Sequence, residues 1–362
     1  MSVPAPRALI SSLPAYTPGR NEDDAMADHG VEHAVKLASN ELALGPLPGV
    51  VAAMAEATAR ARRYPDHGAP ALRARLAEVL DVPSARITVG NGSVNLLQQL
   101  SLTYVDPGDA VVYGWPSFEA YPVFTALTGG RAVAVPNDGA ALDATAIAEA
   151  IDDSTRLVLL ATPNNPTGAA LTGDDLERIA DATPDTALLV VDEAYREFVT
   201  DGDVPDALAL LGDRDNVAVL RTFSKAHGLA ALRVGYLVAH PEVVAAVDRT
   251  LVPFAVNSVA EAAAIASLGH LDRVAARCAD VVGERERVTA MLRSLGAELS
   301  DGQANFVWLP GPDAAPLGHA LERAGIITRV FPEVGIRVTM GTPLQNDQFL
   351  AAYRSARATL PG

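Results

Sequence analysis

The sequence predicts an α/β protein whose main sheet has seven mostly parallel strands and carries helices on both faces. Short apolar runs alternate along the chain with longer stretches of helical periodicity, which is the pattern of repeated βα units. The runs are rich in leucine and β-branched residues and mostly lack polar alternation, as expected for strands covered on both faces. The predicted strands are residues 87–89, 110–113, 131–135, 156–160, 187–191, 217–220 and 235–238.

Helical patterns separate these strands, and Thr172 precedes one of them as a candidate N-cap. The clearest patterns are residues 94–103, 144–150 and 174–182. Beyond Pro253 the character of the chain changes, because a long alanine-rich helical stretch runs from Ser258 to about Leu295. Three further strands are predicted after it, at residues 304–309, 326–331 and 336–339.

This change of pattern predicts two domains, in line with 362 residues at about 150 residues per domain. Residues 40–253 are predicted to form a large domain around the seven-stranded sheet. Residues 254–362 are predicted to form a smaller α+β domain together with an N-terminal arm, residues 1–39. The prolines and the acidic stretch of the arm predict loop-like structure.

Composition excludes several classes of partner. With 44 acidic and 28 basic residues the net charge is −16, and such a surface repels phosphate backbones and anionic lipids. No apolar run approaches the length of about 18 residues that a spanning helix needs, and no secretory signal is expected. A single cysteine, Cys278, excludes an internal disulfide, and the seven histidines show no metal-ligand spacing. We therefore expect a cytoplasmic protein with no nucleic acid, membrane or metal partner.

Polar motifs follow several of the predicted strands, at the sheet edge where α/β proteins bind ligands. After residues 87–89, Gly92 and Ser93 open directly into a helix, whose free backbone N–H groups suit an anion. A simple βα turn with a serine cap explains the same residues. After residues 156–160, two prolines hold Asn165 at the sheet edge, and turn chemistry alone also explains that motif.

Two further strands are followed by charged residues. Asp192 and Tyr195 come after residues 187–191, and a carboxylate there needs either a cationic partner or a helix to cap. Lys225 follows residues 217–220. A lysine beside a buried sheet edge has its charge disfavoured and is available as a nucleophile, although a surface loop lysine is the plainer alternative. The chain has only one other lysine, Lys36, so solubility explains Lys225 poorly.

Taken together, these motifs suit a pyridine ring with a phosphate tail. Lys225 can form a Schiff base with it, and Asp192 can pair with the pyridinium nitrogen so that the ring stays an electron sink. Tyr195 and Asn165 can hydrogen-bond the ring hydroxyl. The residues predicted to hold the phosphate end are Gly92, Ser93, Val94, Ser224 and Arg233.

The order of these motifs resembles that of the fold-type I pyridoxal-phosphate aminotransferases, in the group of histidinol-phosphate and aromatic amino acid aminotransferases. The resemblance runs from about residue 13 to 350. Its motifs are KLASNELALGP (36–46), RYPDHGAPALR (63–73), GNGSVNLLQQL (90–100), ATPNNPTG (161–168), VDEAYREF (191–198), RTFSKAHGLAALRVGY (221–236), ANFVWLP (304–310) and IRVTMG (336–341). Several of them are more similar to the actinobacterial-type aromatic, or phenylalanine, aminotransferases than to the histidinol-phosphate enzymes.

The resemblance implies further roles. Tyr64 would cross a homodimer interface to the partner's cofactor phosphate, and Phe118 would stack on the pyridine ring. Arg337 would bind the acidic group of the substrate, with Arg329 as a second anion contact; a surface cross-strand pair is the alternative for these two arginines. Tyr16 in the N-terminal arm and Asn40 directly after the arm would line the substrate entrance.

Three positions depart from the family pattern. Phe118 stands where tyrosine is common, so stacking is kept and a phenolic hydrogen bond is lost. His227 stands where an aromatic residue is usual, and we expect a structural histidine there. Residues 42–44 interrupt the usual motif that follows Asn40.

The resemblance implies a ping-pong transamination with bound pyridoxal 5′-phosphate, amino acid and oxo acid substrates. Lys225 would move the proton between the substrate Cα and the cofactor. Aromatic L-amino acids (phenylalanine and tyrosine, with tryptophan as a further candidate) are the predicted donors, because Val94 and Asn95 stand where the histidinol-phosphate enzymes usually carry acidic residues. Histidinol phosphate is the alternative donor, and a decarboxylase or an oxidase on the same scaffold is a weaker alternative. A transcription regulator is disfavoured by the short arm and the acidic charge.

Overall fold

Two β-sheets organise the chain, which is represented by a computed structural model describing residues 3–13 and 20–360. Within these residues the larger sheet has seven strands in the order β2-β8-β7-β6-β5-β3-β4. Its strands are β2 (Ile87–Gly90), β3 (Ala110–Trp115), β4 (Arg131–Pro136), β5 (Thr155–Ala161), β6 (Leu188–Asp192), β7 (Val217–Thr222) and β8 (Gly235–Ala239). Each of the seven predicted strands is present, and the predicted α/β class with a mostly parallel sheet is confirmed.

The direction of one strand sets the edge at which the ligand motifs meet. Strand β8 runs antiparallel to both of its neighbours, β2 and β7, whereas the pairs from β7 through β6, β5 and β3 to β4 are parallel. Strand β2 therefore points the same way as β5, β6 and β7. The carboxyl ends of these four strands lie along one edge of the sheet.

Helices cover the larger sheet and complete the smaller part of the molecule. They are α1 (Ala8–Ser12), α2 (Glu22–His29), α3 (Pro48–Thr58), α4 (Pro70–Leu80), α5 (Ser93–Tyr104), α6 (Ala120–Thr128), α7 (Ala144–Glu149), α8 (Gly173–Ala182), α9 (Pro241–Asp248), α10 (Ser258–Leu268), α11 (Leu271–Ser294), α12 (Ala314–Arg323) and α13 (Pro343–Thr359). The expected cap of α8 is confirmed, because the Thr172 hydroxyl accepts from the Asp175 backbone N–H.

Two expectations about helices were wrong. The acidic part of the arm is not a loop but helix α2, whose first turn carries three acidic residues at the positive end of the helix dipole. The Asn21 side chain accepts a hydrogen bond from the Asp24 N–H and caps it. The stretch after Ser258 is not one long helix but two, because the chain breaks at Gly269 and His270 between α10 and α11.

The smaller sheet has four strands in the order β1-β10-β11-β9. They are β1 (Val35–Leu37), β9 (Phe306–Pro310), β10 (Ile326–Phe331) and β11 (Gly335–Thr339). The last three were predicted, whereas β1, which runs parallel to β10, was not. Helix α10 follows the predicted domain boundary at residue 253, but it packs against α3 and α4, which lie in the predicted large domain. The boundary at residue 253 stays a prediction.

Neither a membrane span nor a metal cluster is found in the parts of the chain that the structure describes. None of the helices within residues 3–13 and 20–360 is both long and apolar enough to cross a bilayer. The same residues contain no group of three or more histidine, cysteine, aspartate or glutamate side chains that could hold a metal ion.

Candidate active site

Lys225 lies in the loop after β7, at the sheet edge defined above. Its Nζ donates a hydrogen bond to the Ser39 carbonyl oxygen at 3.3 Å and stands 5.8 Å from the centre of the Tyr195 ring. Burial, with smaller contributions from the nearby charges of Arg337 and Arg233, lowers the pKa of the amine to about 8. An amine with this pKa is partly unprotonated near neutral pH, so it can act as a nucleophile and as a base.

Asp192 is the last residue of β6 and is 8% exposed. One of its carboxylate oxygens accepts a hydrogen bond from the Ala194 N–H at 3.1 Å. Burial, with a smaller contribution from the negative charge of Glu193, raises the pKa of this carboxyl to about 7, although the Ala194 N–H and Lys225 oppose the shift. A buried carboxylate of this kind gains from a cationic partner, and the protonated nitrogen of a pyridine ring is such a partner.

Asn40 and Tyr195 are joined by a buried hydrogen bond. The Asn40 amide donates to the Tyr195 hydroxyl at 2.8 Å, and the Thr339 hydroxyl donates to the other end of the Asn40 side chain at 3.0 Å. Asn40 has a left-handed φ of 53°, and its backbone N–H donates to Thr339 while its carbonyl accepts from Asn305. With an exposure of 1%, Asn40 is buried and supports Tyr195, and its place at the substrate entrance stays a prediction.

Arg337 and Asn165 lie in direct contact, although 172 residues separate them in the sequence. The Arg337 guanidinium donates to the Asn165 side-chain oxygen and, at 2.6 Å, to the Ala38 carbonyl oxygen. Its carbon lies 5.5 Å from the centre of the Phe306 ring. Arg337 is 7% exposed, so the alternative of a surface cross-strand pair does not describe this residue.

Arg329 lies opposite Arg337 in the pairing of β10 with β11. Its guanidinium turns to Glu119, and one nitrogen lies 2.8 Å from both carboxylate oxygens. Glu119 directly precedes helix α6 and directly follows Phe118. The structure therefore gives Arg329 a carboxylate partner that the sequence did not predict.

The start of helix α5 and Arg233 form a cradle for an anion. Gly92 precedes the helix with a φ of 85°, and no side chain caps the first turn, so the predicted alternative of a serine cap is not found. A Cβ atom at Gly92 would lie 2.5 Å from an Arg233 guanidinium nitrogen. Arg233 also donates to the Ser224 hydroxyl at 3.3 Å. Uncapped N–H groups and a guanidinium bind phosphate, so this cradle suits the phosphate end of the predicted ligand. It contains the residues predicted for that end, namely Gly92, Ser93, Val94, Ser224 and Arg233.

Three predicted aromatic residues remain. Phe118 is half-buried, and its ring meets that of Tyr121 edge-on with centres 5.8 Å apart. The Tyr121 hydroxyl is buried and has no hydrogen-bond partner among the described residues, as fits a cavity built around a bound group.

Tyr64 is 85% exposed and stacks on Phe254 with ring centres 4.9 Å apart. Tyr16 lies outside the described residues.

An ion-pair cluster behind the site was missed by the sequence analysis. Arg221, at the end of β7, donates to the Glu193 carboxylate at 2.6 Å and 2.9 Å and to Asp206 at 2.6 Å. Glu193 is 2% exposed, and its second oxygen accepts from the Ala207 N–H. This pair ties the ends of β6 and β7 together and so fixes the spacing of Asp192 and the Lys225 loop. Its only sequence signal is a charged residue at each of two strand ends.

His227 has a structural environment, as expected. Its Nδ1 lies 2.7 Å from the Ser267 hydroxyl, and its ring centre is 4.6 Å from that of Phe223. Burial lowers the pKa of His227 to about 4. The ring is therefore neutral at physiological pH and adds no charge to the site.

Comparison with known proteins agrees with this geometry. The family described as aminotransferase class I and II matches residues 32–352. The chain belongs to this family. A class I and II aminotransferase uses pyridoxal 5′-phosphate, and the uncapped helix start, the buried Asp192 and the lysine of lowered pKa fit that cofactor. The predictions of a pyridoxal-phosphate-dependent aminotransferase and of its cofactor are confirmed.

Relatives and solved structures of aminotransferases cover the chain almost completely. A Thermobifida fusca protein named aromatic amino acid aminotransferase is 49% identical over 350 residues, which are 96% of this chain and 96% of the relative. A Streptomyces coelicolor protein of the same name is 45% identical over 99% of each chain. The crystal structure of histidinol-phosphate aminotransferase from Sinorhizobium meliloti in complex with pyridoxal 5′-phosphate has a TM-score of 0.91 and 30% identity and covers 99% of both chains.

Proposed function

We propose that this aminotransferase moves the amino group of aromatic L-amino acids, phenylalanine and tyrosine above all, to 2-oxoglutarate or another oxo acid. The observation that carries the proposal is the agreement among the curated relatives. Those at 44–49% identity, over at least 96% of this chain, bear the name aromatic amino acid aminotransferase. Val94 and Asn95, uncharged residues in the first turn of α5, support an apolar donor over a basic imidazole.

Arg337 is assigned to the α-carboxylate of the substrate. It is buried and already oriented by Asn165 and the Ala38 carbonyl, so little entropy is lost when a carboxylate binds. A guanidinium can present two parallel N–H groups to a carboxylate, which fixes its orientation as well as its position. The charge of Arg337 lowers the pKa of the Lys225 amine, which supports a shared site for the two side chains.

Lys225 is assigned to proton transfer at Cα. Bound pyridoxal phosphate supplies the electron sink that makes the Cα proton removable. The Lys225 amine would take that proton and return it to the C4′ carbon of the cofactor, and a pKa of about 8 keeps both of its protonation states accessible. Lys225 would move this proton in both halves of the reaction, first with the amino donor and then with the oxo acid.

The remaining predicted residues are assigned to the cofactor. Asp192 holds the ring nitrogen, and Tyr195 with Asn165 holds the ring hydroxyl, because these groups converge on the edge where Lys225 emerges. Phe118 covers the ring face. The phosphate is assigned to the cradle of Arg233, Ser224 and the first turn of α5.

A homodimer with Tyr64 in its interface belongs to the same proposal. Tyr64 and Phe254 form a stacked, exposed aromatic pair, and Val252 beside them is 62% exposed. Exposed apolar surface of this kind is suited to burial against a second copy of the chain. The Tyr64 hydroxyl then reaches the cofactor phosphate of the partner.

Changing Tyr64 to phenylalanine is expected to keep the dimer and to weaken cofactor binding. The ring and its stacking on Phe254 remain, while a hydrogen bond to a charged phosphate is lost, which raises the dissociation constant of pyridoxal phosphate by about 10- to 100-fold. Fluorescence titration of the cofactor-free protein measures the constant, and light scattering measures the mass. Tyr353→Phe, in helix α13, is the matched control. An unchanged constant in Tyr64→Phe would contradict the assignment.

Steady-state kinetics test the substrate. With 2-oxoglutarate as acceptor, kcat/KM for phenylalanine and tyrosine is expected to exceed that for histidinol phosphate by about tenfold or more, since a site built for an apolar ring leaves the imidazole and phosphate poorly matched. A kcat/KM for histidinol phosphate above those for both aromatic amino acids would reverse the order. Release of carbon dioxide or peroxide without amino transfer would instead indicate a decarboxylase or an oxidase.

A further inference from the structure

Lys225 is the first residue of a tight turn in the loop after β7. The Gly228 N–H donates a hydrogen bond to the Lys225 carbonyl at 2.9 Å, and Gly228 has a left-handed φ of 68°. We call residues 225–228 the lysine turn. It contains His227, which stands where an aromatic residue is usual, and a Cβ atom added at Gly228 would lie 3.4 Å from the Leu42 side chain. Two positions that depart from the family pattern therefore meet at this turn.

The lysine turn is held from two sides. On one side, the Lys225 amine donates to the Ser39 carbonyl oxygen at 3.3 Å. On the other side, the His227 ring reaches helix α10, where its Nδ1 lies 2.7 Å from the Ser267 hydroxyl, which is the distance of a good hydrogen bond. Because His227 is only two residues beyond Lys225, a displacement of the ring moves the lysine backbone with it.

The contact between His227 and Ser267 is buried, and it rests on a packed helix. The His227 side chain is 8% exposed and Ser267 is 1% exposed. Helix α10 packs against α3 and α4, and the His227 ring packs on Phe223 with ring centres 4.6 Å apart. A hydrogen bond shielded from water in this way fixes the geometry of its partners, because breaking it leaves buried polar atoms without a partner.

The second ring nitrogen of His227 faces a carboxyl group. Its Nε2 lies 4.0 Å from a Glu197 oxygen, and burial raises the pKa of Glu197 to about 7. Burial lowers the pKa of His227 to about 4, so the ring is neutral at physiological pH. A neutral ring changes the electrostatic field at the Lys225 amine little. An influence of His227 on Lys225 is therefore exerted through position.

We propose that His227 is a positioning residue for the catalytic lysine. Its hydrogen bond to Ser267 holds the lysine turn against helix α10 and thereby keeps the Lys225 amine buried at the Ser39 carbonyl. The inference rests on the proposed function, because it takes Lys225 as the residue that moves the proton. His227 acts through the turn and not through contact with the reacting atoms.

The first test removes each partner of the hydrogen bond in the holoenzyme. His227→Phe keeps an aromatic ring, and Ser267→Ala removes a single oxygen atom from helix α10. Each is expected to lower kcat by about 3- to 10-fold and to leave KM for the amino donor within about twofold, since one hydrogen bond is lost from the orientation of the base and none from substrate binding. The double variant is expected to lose no more than either single variant, because both changes break the same interaction.

The second test measures the pKa of the Lys225 amine. Pyridoxal phosphate attaches only to an unprotonated amine, so its rate of attachment to the cofactor-free full chain is expected to be half-maximal near pH 8 in the unmodified protein. In both single variants this midpoint is expected to move towards the ordinary 10.5, because burial is the main cause of the lowered pKa and a loosened turn exposes the amine. The charged groups that act on the amine are unchanged in both variants; they are Arg337, Glu41, Arg233 and Asp192.

Two further variants serve as controls. Ser101→Ala removes another buried helical hydroxyl, which donates to the Leu97 carbonyl of its own helix, and is expected to change neither kcat nor the midpoint. His227→Asn places an amide near the position of Nδ1 and is expected to recover most of the kcat that His227→Phe loses. The melting temperature of each variant is measured alongside.

Three results would overturn the proposal. One is an unchanged kcat and an unchanged midpoint in Ser267→Ala, the variant that disturbs folding least. Another is a double variant whose loss is the product of the two single losses. The third is a kcat that follows the melting temperature across the variants while the midpoint stays near pH 8, which is the result of a purely structural role.

Mass spectrometry of the borohydride-reduced variants separates these failures from a failure of the proposed function. Cofactor attached to Lys225, together with any of the three results, contradicts the role of His227 alone. Cofactor attached elsewhere in the unmodified protein contradicts the assignment of Lys225 and with it the proposed function.

Discussion

Replacing Lys225 by alanine is expected to lower the transamination rate by roughly 10⁴-fold or more, the largest effect of any single substitution in this chain. The substitution removes both the amine that attaches the cofactor and the base that moves the Cα proton. The position of Lys225 explains why no neighbour replaces it. Its Nζ contacts the Ser39 carbonyl and lies over the Tyr195 ring, and neither group is a base at neutral pH.

The composition of the chain makes this test unusually clear. Lys36 and Lys225 are its only lysines, and Lys36 lies in β1, 3.4 Å from the Glu41 carboxylate. Borohydride reduction of the holoenzyme followed by peptide mass spectrometry is expected to find the cofactor on Lys225. Lys36→Ala should keep that attachment and turnover within about twofold, as a surface charge change does. Turnover above a hundredth of the normal rate in Lys225→Ala, or attachment at Lys36, would refute the assignment.

Replacing Asp192 by asparagine is expected to lower kcat by about 10²- to 10³-fold, the usual cost of removing one buried electrostatic contact in an active site. The neutral amide no longer stabilises a protonated ring nitrogen, so the ring accepts electrons less well. Asp192→Glu keeps the charge and is expected to recover part of the rate. A rate for Asp192→Asn within threefold of normal would exclude Asp192 as the nitrogen's partner.

Asp192→Asn is also expected to change the stability of the folded chain in a pH-dependent way, which is measured in the cofactor-free protein. Folding raises the pKa of Asp192 from its ordinary 3.8 to about 7, so the folded chain holds this proton more tightly than the unfolded chain. The destabilisation by Asp192 therefore begins above about pH 4, grows up to about pH 7 and then stays constant. Asp192→Asn removes it, so its melting temperature should exceed that of the unmodified protein by a margin that widens over this range.

Asp206 serves as the control for that measurement. Arg221 holds the pKa of Asp206 below its ordinary value, so Asp206 stabilises the folded chain at neutral pH, and this stabilisation is lost as the pH falls. Asp206→Asn is thus expected to lower the melting temperature at pH 7 and to matter less in acid. A constant difference across pH 4–8 for Asp192→Asn would contradict the raised pKa.

Local patterns in the sequence were sufficient for the strands of the main sheet. Each of the seven is a short apolar run, and a run buried on both faces is visible without knowledge of its neighbours. The direction of β8 and the pairing of β1 with β10 were not predictable in the same way. Both depend on which distant strand supplies the hydrogen bonds, and β1 is only three residues long.

The candidate site likewise has features that local sequence signals predict and features that depend on distant partners. Asp192, Asn165 and Lys225 follow strand ends, and the parallel sheet brings such ends together, so their convergence follows from local signals. The ion pairs that surround them do not. Glu119 meets Arg329 across 210 residues and Glu193 meets Arg221 across 28, and charge alone does not select one partner among 44 acidic and 28 basic residues.

The short connection between β1 and Asn40 limits how the two sheets can move. Leu37 ends a strand of the smaller sheet, while Asn40 is bonded to Tyr195 at the edge of the larger one. Three residues span at most about 10 Å, so the sheets cannot slide apart at this point without breaking one of these attachments. A relative motion of the two sheets must therefore leave this connection almost in place. Because the Ser39 carbonyl lies within it, we expect its distance to the Lys225 amine to change little in such a motion.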